Sequence, residues 1–593
     1  MSKRKLEKQN DIKSFKRLLS YLKPYQGKFI LSLILMTFVV LVDLVPPLLM
    51  GQVLNLVSNA KSTSDLTVIM QLGGLFFLTF LIAIIINYFQ SLLLQTIGQN
   101  IIMEMRVETF SHIEHWSQEQ LNNEPVGRLV TRVMNDADSI SHMFTSIVIN
   151  MIRSLIMMIV ILILLFIISP KLAFITITTI PFIGITSYFF RKVTRKTYRK
   201  IRDEISALNS FLSENLSGMK ITQIFNQEDK KREEFHERTL WLKKAFQKEI
   251  LLYAIFRPLI YLITMLGTIA IIYFGGRQVI AMVLSFGILY SFREYVEMFF
   301  QPIQTIAEEF NNLQDAYSSA EKIFGILDRE SLIQDEDNAI ELTEFKGHIE
   351  FKNVWFQYIK DEWVLKDISF EVKPGETIAL VGATGSGKTT ILSLIVRNYD
   401  IQKGQILIDG IDIKKIKRSS LRKNIGQMLQ DVFLFNDTIE KNIRLNNDEI
   451  TKEEVIAASE YVGADNFINK LDGTYNHLVL ERGNNFSTGQ RQLISFARAI
   501  VYKPNLLILD EATANIDSES EEIIQDSLKK IMEMQTMIIV AHRLSTIQHS
   551  DKIIVLHKGE IVEQGNHQEL LKNEGLYYNL YMIQFDESNS KKN

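Results

Sequence analysis

The stretch "GETIALVGATGSGKTTILSLIV" (Gly375–Val396) decides the fold of the C-terminal half of this chain. It opens with a short apolar run, the pattern of a buried strand. A glycine-rich loop follows, then an apolar helix. The loop Gly382-Ala383-Thr384-Gly385-Ser386-Gly387-Lys388-Thr389 matches G-x-x-x-x-G-K-[ST] in the strand–loop–helix setting that gives the pattern its meaning. Glycines let backbone N–H groups curl around phosphate oxygens, and the following helix adds the positive end of its dipole. Lys388 is placed to neutralise β- and γ-phosphates and the Thr389 hydroxyl to hold Mg²⁺, with Thr390 among the nucleotide-binding residues. The sequence therefore predicts ATP and Mg²⁺ as ligands.

Further segments extend this reading. "HIEFKNVWFQY" (His348–Tyr358) and "WVLKDISFEV" (Trp363–Val372) alternate in the manner of strands. "LLILDEAT" (Leu506–Thr513) is a second buried strand that ends in two acids. Asp510, at its carboxyl end, is expected in the Mg²⁺ shell. Glu511, one residue on, is expected to orient or deprotonate an attacking water. "MIIVAHRLST" (Met537–Thr546) delivers His542 to the same edge.

The N-terminal half is of another kind. The chain has 593 residues, 47% of them hydrophobic, and the apolar runs crowd before about Phe310. An apolar run of about twenty residues spans the roughly 30 Å hydrocarbon layer as a helix. Six candidates are present, at about 29–54, 69–96, 142–168, 171–190, 250–275 and 279–303. Basic residues concentrate before the first and between the fourth and fifth, which orients both termini to the cytoplasm. Insertion through the first hydrophobic helix is expected, with no cleaved signal peptide. Pro46-Pro47 is expected to kink the first span beside Asp43. Arg153, Arg257, Arg293, Glu294 and Glu297 lie in or near later spans, with Arg293 and Glu297 spaced to neutralise each other. Residues 97–140 and 191–248 have helical periodicity well beyond membrane thickness. The net charge of −3 gives no nucleic-acid signal, and the absence of cysteine excludes disulfides, zinc-thiolate sites and cysteine nucleophiles.

Together these residues resemble an ABC transporter half of the exporter type, over roughly residues 15–585. The resemblance implies an α-helical six-span transmembrane domain followed by an α/β P-loop nucleotide-binding domain. The expected divisions are a cytoplasmic N-terminal segment with an elbow helix (1–28), the transmembrane domain with its long cytoplasmic extensions (29–310), a linker (311–346), the nucleotide-binding domain (347–585) and a polar tail (586–593). "PVGRLVTRVMNDADSI" (Pro125–Ile140) and "SENLSGMKITQIFNQE" (Ser213–Glu228) resemble the family's intracellular loops. By the same resemblance Tyr358 stacks on adenine, Gln430 in "GQMLQDVFLF" reaches Mg²⁺, and "LERG" (Leu480–Gly483) touches the cytoplasmic helices. Asp517 in "ANID" links two nucleotide sites, and Glu511 and His542 match the residues that hydrolysis needs.

One motif departs from the pattern. Where the family reads "LSGGQ", this chain reads Phe486-Ser487-Thr488-Gly489-Gln490. In the family each site combines one subunit's phosphate loop with the other's signature, where Ser487, Gly489 and Gln490 would meet the partner's nucleotide. Ser487-x-x-Gln490 has capping-box spacing. Thr488 keeps a backbone donor but sets a stiff β-branched side chain where close approach is needed. With Lys388, Asp510, Glu511 and His542 intact, that asymmetry implies a heterodimer. The implied partner is a different half-transporter with an ordinary signature and a substituted catalytic acid. The expected function is ATP-driven, multidrug-type export of hydrophobic or amphiphilic small molecules across a bacterial plasma membrane. The alternatives are a lipid or peptide exporter on the same fold, an importer built on it, a homodimer, and a non-transporting membrane ATPase that senses or regulates.

Overall fold

The computed structural model describes residues 16–59, 63–429, 431–510, 518–532, 536–540 and 547–590. It divides into two compact units: residues 16–113 with 127–329, and residues 114–126 with 330–590.

The first unit is helical throughout. It contains α1 (Gln26–Asp43), α2 (Val45–Asn59), α3 (Thr63–Glu114), α5 (Val126–Ile168), α6 (Pro170–Ser217), α7 (Met219–Ile224), α8 (Glu228–Ile280) and α9 (Phe286–Leu327). Between α3 and α5 lies the short α4 (Gln118–Asn123), which belongs to the second unit. The 52 residues of α3 extend about 78 Å at 1.5 Å per residue, more than twice the hydrocarbon thickness. α6 and α8 are of similar length, so the helical periodicity of residues 191–248 continues the spans. That connection turns at α7; the first turns at α4, opened by a capping box in which Ser117 and Gln120 exchange hydrogen bonds.

Five helices among the described residues are long and apolar enough to cross a membrane, with α1 and α2 counted together. The expected sixth span, 279–303, starts later than its sequence bounds. α8 ends at Ile280, the chain turns, and α9 starts at Phe286 behind an N-cap by Ser285. α9 carries Arg293, Glu294 and Glu297 within three turns and is not among the five. The charges are paired along the helix, Arg293 with Glu294 and, at 2.7 Å, with Glu297. Asp43 is likewise paired, 2.9 Å from Arg153 of α5.

The break between α1 and α2 falls at Leu44, just before Pro46-Pro47, whose missing amides cannot extend the helix. α9 satisfies the carbonyls there. Buried Tyr295 donates to the Leu44 oxygen at 2.6 Å, and Ser291 donates to the Pro47 oxygen at 2.7 Å. One turn further Gly51 and Gly287 let α2 and α9 backbones meet, and a Cβ on Gly287 would collide with the Gly51 carbonyl. The Asn55 side chain closes the contact, accepting from the Gly287 amide at 2.7 Å and donating to the Ser285 hydroxyl at 2.9 Å. Small residues that admit backbone contact are how membrane helices gain packing energy without a hydrophobic drive. Gly287→Leu is expected to destabilise the protein by about 1–3 kcal/mol or more through overpacking. Gly73→Leu, at a position with open space around its Cβ, is expected to be silent. Thermal unfolding of the two variants in detergent checks this; equal midpoints would overturn it.

The second unit is built on two sheets. β1 (Ile349–Ile359), β2 (Glu362–Val372), β4 (Lys403–Ile408) and β5 (Ile411–Asp412) form an antiparallel sheet in the order β2-β1-β4-β5. A second sheet runs β10-β9-β3-β8-β7-β6, from β3 (Thr377–Val381), β6 (Ile425–Met428), β7 (Leu506–Asp510), β8 (Thr536–Val540), β9 (Lys552–His557) and β10 (Glu560–Gly565). Its strands are parallel except for the β9–β10 edge hairpin. All residues of β7 and β8 are buried, as the unbroken apolar runs of a doubly covered parallel sheet require. One core lies between the sheets around α10 (Lys388–Ile395), with Ile391, Leu392 and Ile395 against Phe351, Leu365 and Ile508. Another packs α11 (Thr488–Val501) on the opposite face of the parallel sheet, through Leu493, Phe496 and Ala497.

A candidate nucleotide site

Strand β3 is wholly buried and ends at Val381, so the next residues leave the carboxyl edge of the parallel sheet, where α/β folds place their ligands. Gly382 has φ +154°, and a Cβ there would collide with the Leu556 carbonyl of β9. Gly387, at φ +105°, holds the left-handed position before α10, and a Cβ would press Leu365. Only glycine takes both conformations without strain. The loop so formed curls around Lys388, whose side chain is buried and whose ammonium donates to the carbonyls of Gly382 at 2.8 Å and Ala383 at 3.0 Å. Thr384, Gly385 and Thr389 are exposed on its outer rim.

Asp510 is buried at the carboxyl end of β7, and the Thr389 hydroxyl donates to its Oδ1 at 3.4 Å. The buried Ser386 Oγ has no hydrogen-bond partner among the described residues. A polyanion and a divalent cation fit this donor set. Backbone N–H groups of the loop and α10, one ammonium and one orphaned hydroxyl suit phosphate oxygens. A buried carboxylate beside a threonine hydroxyl suits a hard, oxygen-seeking ion such as Mg²⁺.

Tyr358, on β1, lies beside the start of α10 and is half exposed. Its hydroxyl donates to Thr390 Oγ1 at 3.2 Å, and burial of that hydroxyl raises its pKa. The structure therefore brings Tyr358, Gly382 to Thr390 and Asp510 together. Gln430, Glu511, Asp517 and His542 lie outside the described residues. The signature residues sit on another helix start: Ser487 caps α11, accepting from the Gln490 amide at 3.2 Å while its own amide donates to Gln490 Oε1 at 3.0 Å. Gly489 is buried, and Phe486 is a buried anchor beneath the helix. Arg491 donates to the Thr488 hydroxyl at 3.2 Å and to the Phe486 carbonyl at 3.0 Å. The unusual threonine is thus tied back to its own helix, and the capping box is undisturbed.

Sequence reasoning missed Arg397 and Tyr399, on the turn leaving α10. Arg397 is 2% exposed and has φ +50°, in a position after a helix that glycine usually takes. The Arg397 amide bonds Leu394 O and the Asn398 amide bonds Ser393 O, the paired bonds of a Schellman ending. Its guanidinium donates to Asp400 at 3.1 Å, Asp335 at 3.4 Å, and the carbonyls of Ile416 and Gln334, both at 3.2 Å. Nothing in the local pattern marks these roles; an arginine and a tyrosine in a polar turn read as solvent-facing.

Comparison with known proteins places these observations in a lineage. Residues 29–303 match the family described as "ABC transporter transmembrane region", and residues 365–514 the family described as "ABC transporter". The chain is 39% identical over 515 residues to the probable multidrug resistance ABC transporter ATP-binding/permease protein YheH of Bacillus subtilis, covering 86% of this chain and 76% of that one. It is 33% identical over 589 residues to the ATP-dependent lipid A-core flippase of Syntrophus aciditrophicus, covering 98% of this chain and 96% of the other. A solved structure of a bacterial Atm1-family ABC exporter with ATP bound superposes with a TM-score of 0.79 at 25% identity, over 95% of this chain and 98% of that chain.

Proposed function

The chain belongs to the ABC transporters, multi-pass membrane proteins that couple ATP hydrolysis to transport, and from that premise we propose that it is one half of a heterodimeric exporter of hydrophobic or amphiphilic compounds. The observation that carries the proposal is the joining, in one chain, of a phosphate loop with a buried Lys388 and Asp510 to five long apolar helices. Multidrug-type substrates follow the relative from Bacillus subtilis; a lipid substrate is the second reading, favoured by the flippase relative.

In this mechanism Lys388 neutralises phosphate charge while loop amides and the Ser386 hydroxyl orient the oxygens. Thr389, Asp510 and Gln430 would hold Mg²⁺, which screens phosphate charge when bound. Tyr358 packs on the base. Glu511 takes the proton of the attacking water, and His542 contacts the terminal phosphate. Ser487, Gly489 and Gln490 serve the partner's nucleotide, and Asp517 lies between the two sites. Closure of the nucleotide domains favours one orientation of the spans and hydrolysis resets it, because nucleotide binds the closed state more tightly. The basic loops support a cytoplasmic location for both termini.

Two measurements test the reading. ATP-dependent accumulation of an amphiphilic dye such as ethidium in inverted vesicles is expected; ATPase activity with no accumulation of any amphiphile would favour a sensor or regulator. The chain purified alone is expected to hydrolyse ATP at least tenfold more slowly than when co-purified with its partner half-transporter. The side chain of Thr488 hinders close approach of the signature in both sites of a homodimer, and holding such a donor out of reach costs about 10²-fold or more. Full activity from the chain alone would leave the homodimer standing.

A further inference from the structure

One hydrogen-bonded and stacked chain runs, inside the second unit, from the phosphate-loop helix to α4. The Tyr358 hydroxyl donates to Thr390 Oγ1 at 3.2 Å, one residue beyond Thr389. The Tyr399 ring meets Tyr358 edge to face, with centroids 5.0 Å apart at 84°. Both rings rest on Phe356, which is fully buried, at 4.8 Å from Tyr358 and 5.7 Å from Tyr399. The Asn122 amide of α4 then donates to the Tyr399 hydroxyl at 3.1 Å. Gln118 donates to the Asn122 Oδ1 at 3.1 Å, which fixes the amide so that its nitrogen faces Tyr399. α4 is held at a second point by Gln120, which donates to the Glu330 carbonyl at 3.0 Å and accepts from the Leu332 amide at 3.2 Å.

We propose that Tyr399 is a positioning residue through which occupancy beside Tyr358 sets the order of α4. The proposal rests on the reading of Tyr358 as the aromatic that packs on the nucleotide base. Aromatic rings are rigid plates, and edge-to-face contact fixes their mutual angle. A base that immobilises Tyr358 therefore narrows the range of Tyr399, whose hydroxyl then offers Asn122 a fixed acceptor. Coupling of this kind is reciprocal, so an ordered α4 also strengthens the base contact. The link lies within one chain and needs no partner subunit.

Hydrogen exchange of the full-length protein, with and without AMP-PNP and Mg²⁺, tests it. In the wild type the nucleotide is expected to slow exchange over residues 382–396, and over 114–126 by about fivefold, the scale of one net hydrogen bond. Tyr399→Phe keeps the ring and removes the acceptor; Asn122→Ala removes the donor. Both variants are expected to keep the nucleotide protection of 382–396 and to lose the nucleotide response of 114–126. A purely structural role would change exchange of 114–126 equally with and without nucleotide, leaving the response intact, and that result would overturn the proposal. So would a wild type whose residues 114–126 ignore the nucleotide while 382–396 respond. A wild type in which 382–396 also fail to respond would bring down the nucleotide-site reading, and this proposal with it.

Discussion

Glu511→Gln is expected to leave nucleotide binding near the wild-type level and to lower ATP turnover by about 10²–10⁴-fold, the range that a positioned general base contributes. The argument starts from Asp510. That carboxylate is buried at the carboxyl end of β7 and accepts from Thr389, which sets the end of the strand at the same edge as the phosphate loop. Glutamine keeps the size and a hydrogen-bonding carbonyl but cannot take a proton. Lys388→Met should behave differently. It removes the one buried ammonium inside the loop, so binding and turnover should fall together. Equilibrium binding of AMP-PNP beside steady-state ATPase assays separates the two variants. An unchanged rate in Glu511→Gln would remove that residue from its role.

Arg397→Met is expected to be the most destabilising single substitution in the second unit, costing about 3–5 kcal/mol. The arginine is 2% exposed and bonds two carboxylates and several carbonyls. Methionine fills much of its volume but leaves Asp335 and Asp400 without their buried cation and the carbonyls without donors. Asp335 keeps Arg418 at 3.4 Å, whereas Asp400 and the carbonyls lose a donor that is itself buried, and a buried donor site left empty is costly. Lysine should not rescue, because a single ammonium cannot reproduce the planar fork of donors. A second cost is already built in: φ +50° strains any residue with a Cβ, so the network offsets a backbone penalty as well. Thermal unfolding of the full-length protein, followed by tryptophan emission, measures the effect. A midpoint within about 2 °C of wild type would refute the argument.

Much of this organisation was legible from residues alone, where local chemistry and spacing coincide. The phosphate loop needs glycines at fixed offsets between a strand and a helix, and Gly382 and Gly387 occupy the backbone positions that the pattern implies. The Ser487–Gln490 capping box was readable from spacing, and Phe486 is the apolar anchor its side chain suggests. Pro46-Pro47 announced the break at Leu44. What stayed hidden depends on partners distant in sequence. Arg397 meets Asp335, and Tyr399 meets Asn122 at a separation of 277 positions, so no local pattern reports either pair. The turn between α8 and α9, inside the expected span 279–303, was hidden as well, because apolar residues continue through it. The tie between Thr488 and Arg491 is one helical turn long, yet only its geometry reveals which way the hydroxyl turns.

The membership of residues 114–126 in the second unit bears on how such proteins can be recombined. A transplant that exchanges residues 330–590 for those of a relative, with 114–126 left behind, would part Asn122 from Tyr399 and Gln120 from the backbone of Glu330 and Leu332. The graft would carry a whole phosphate loop with its Lys388 and Asp510 counterparts and still be mismatched. Two stretches far apart in the chain thus form a single cassette, and a working hybrid requires that both be exchanged at once.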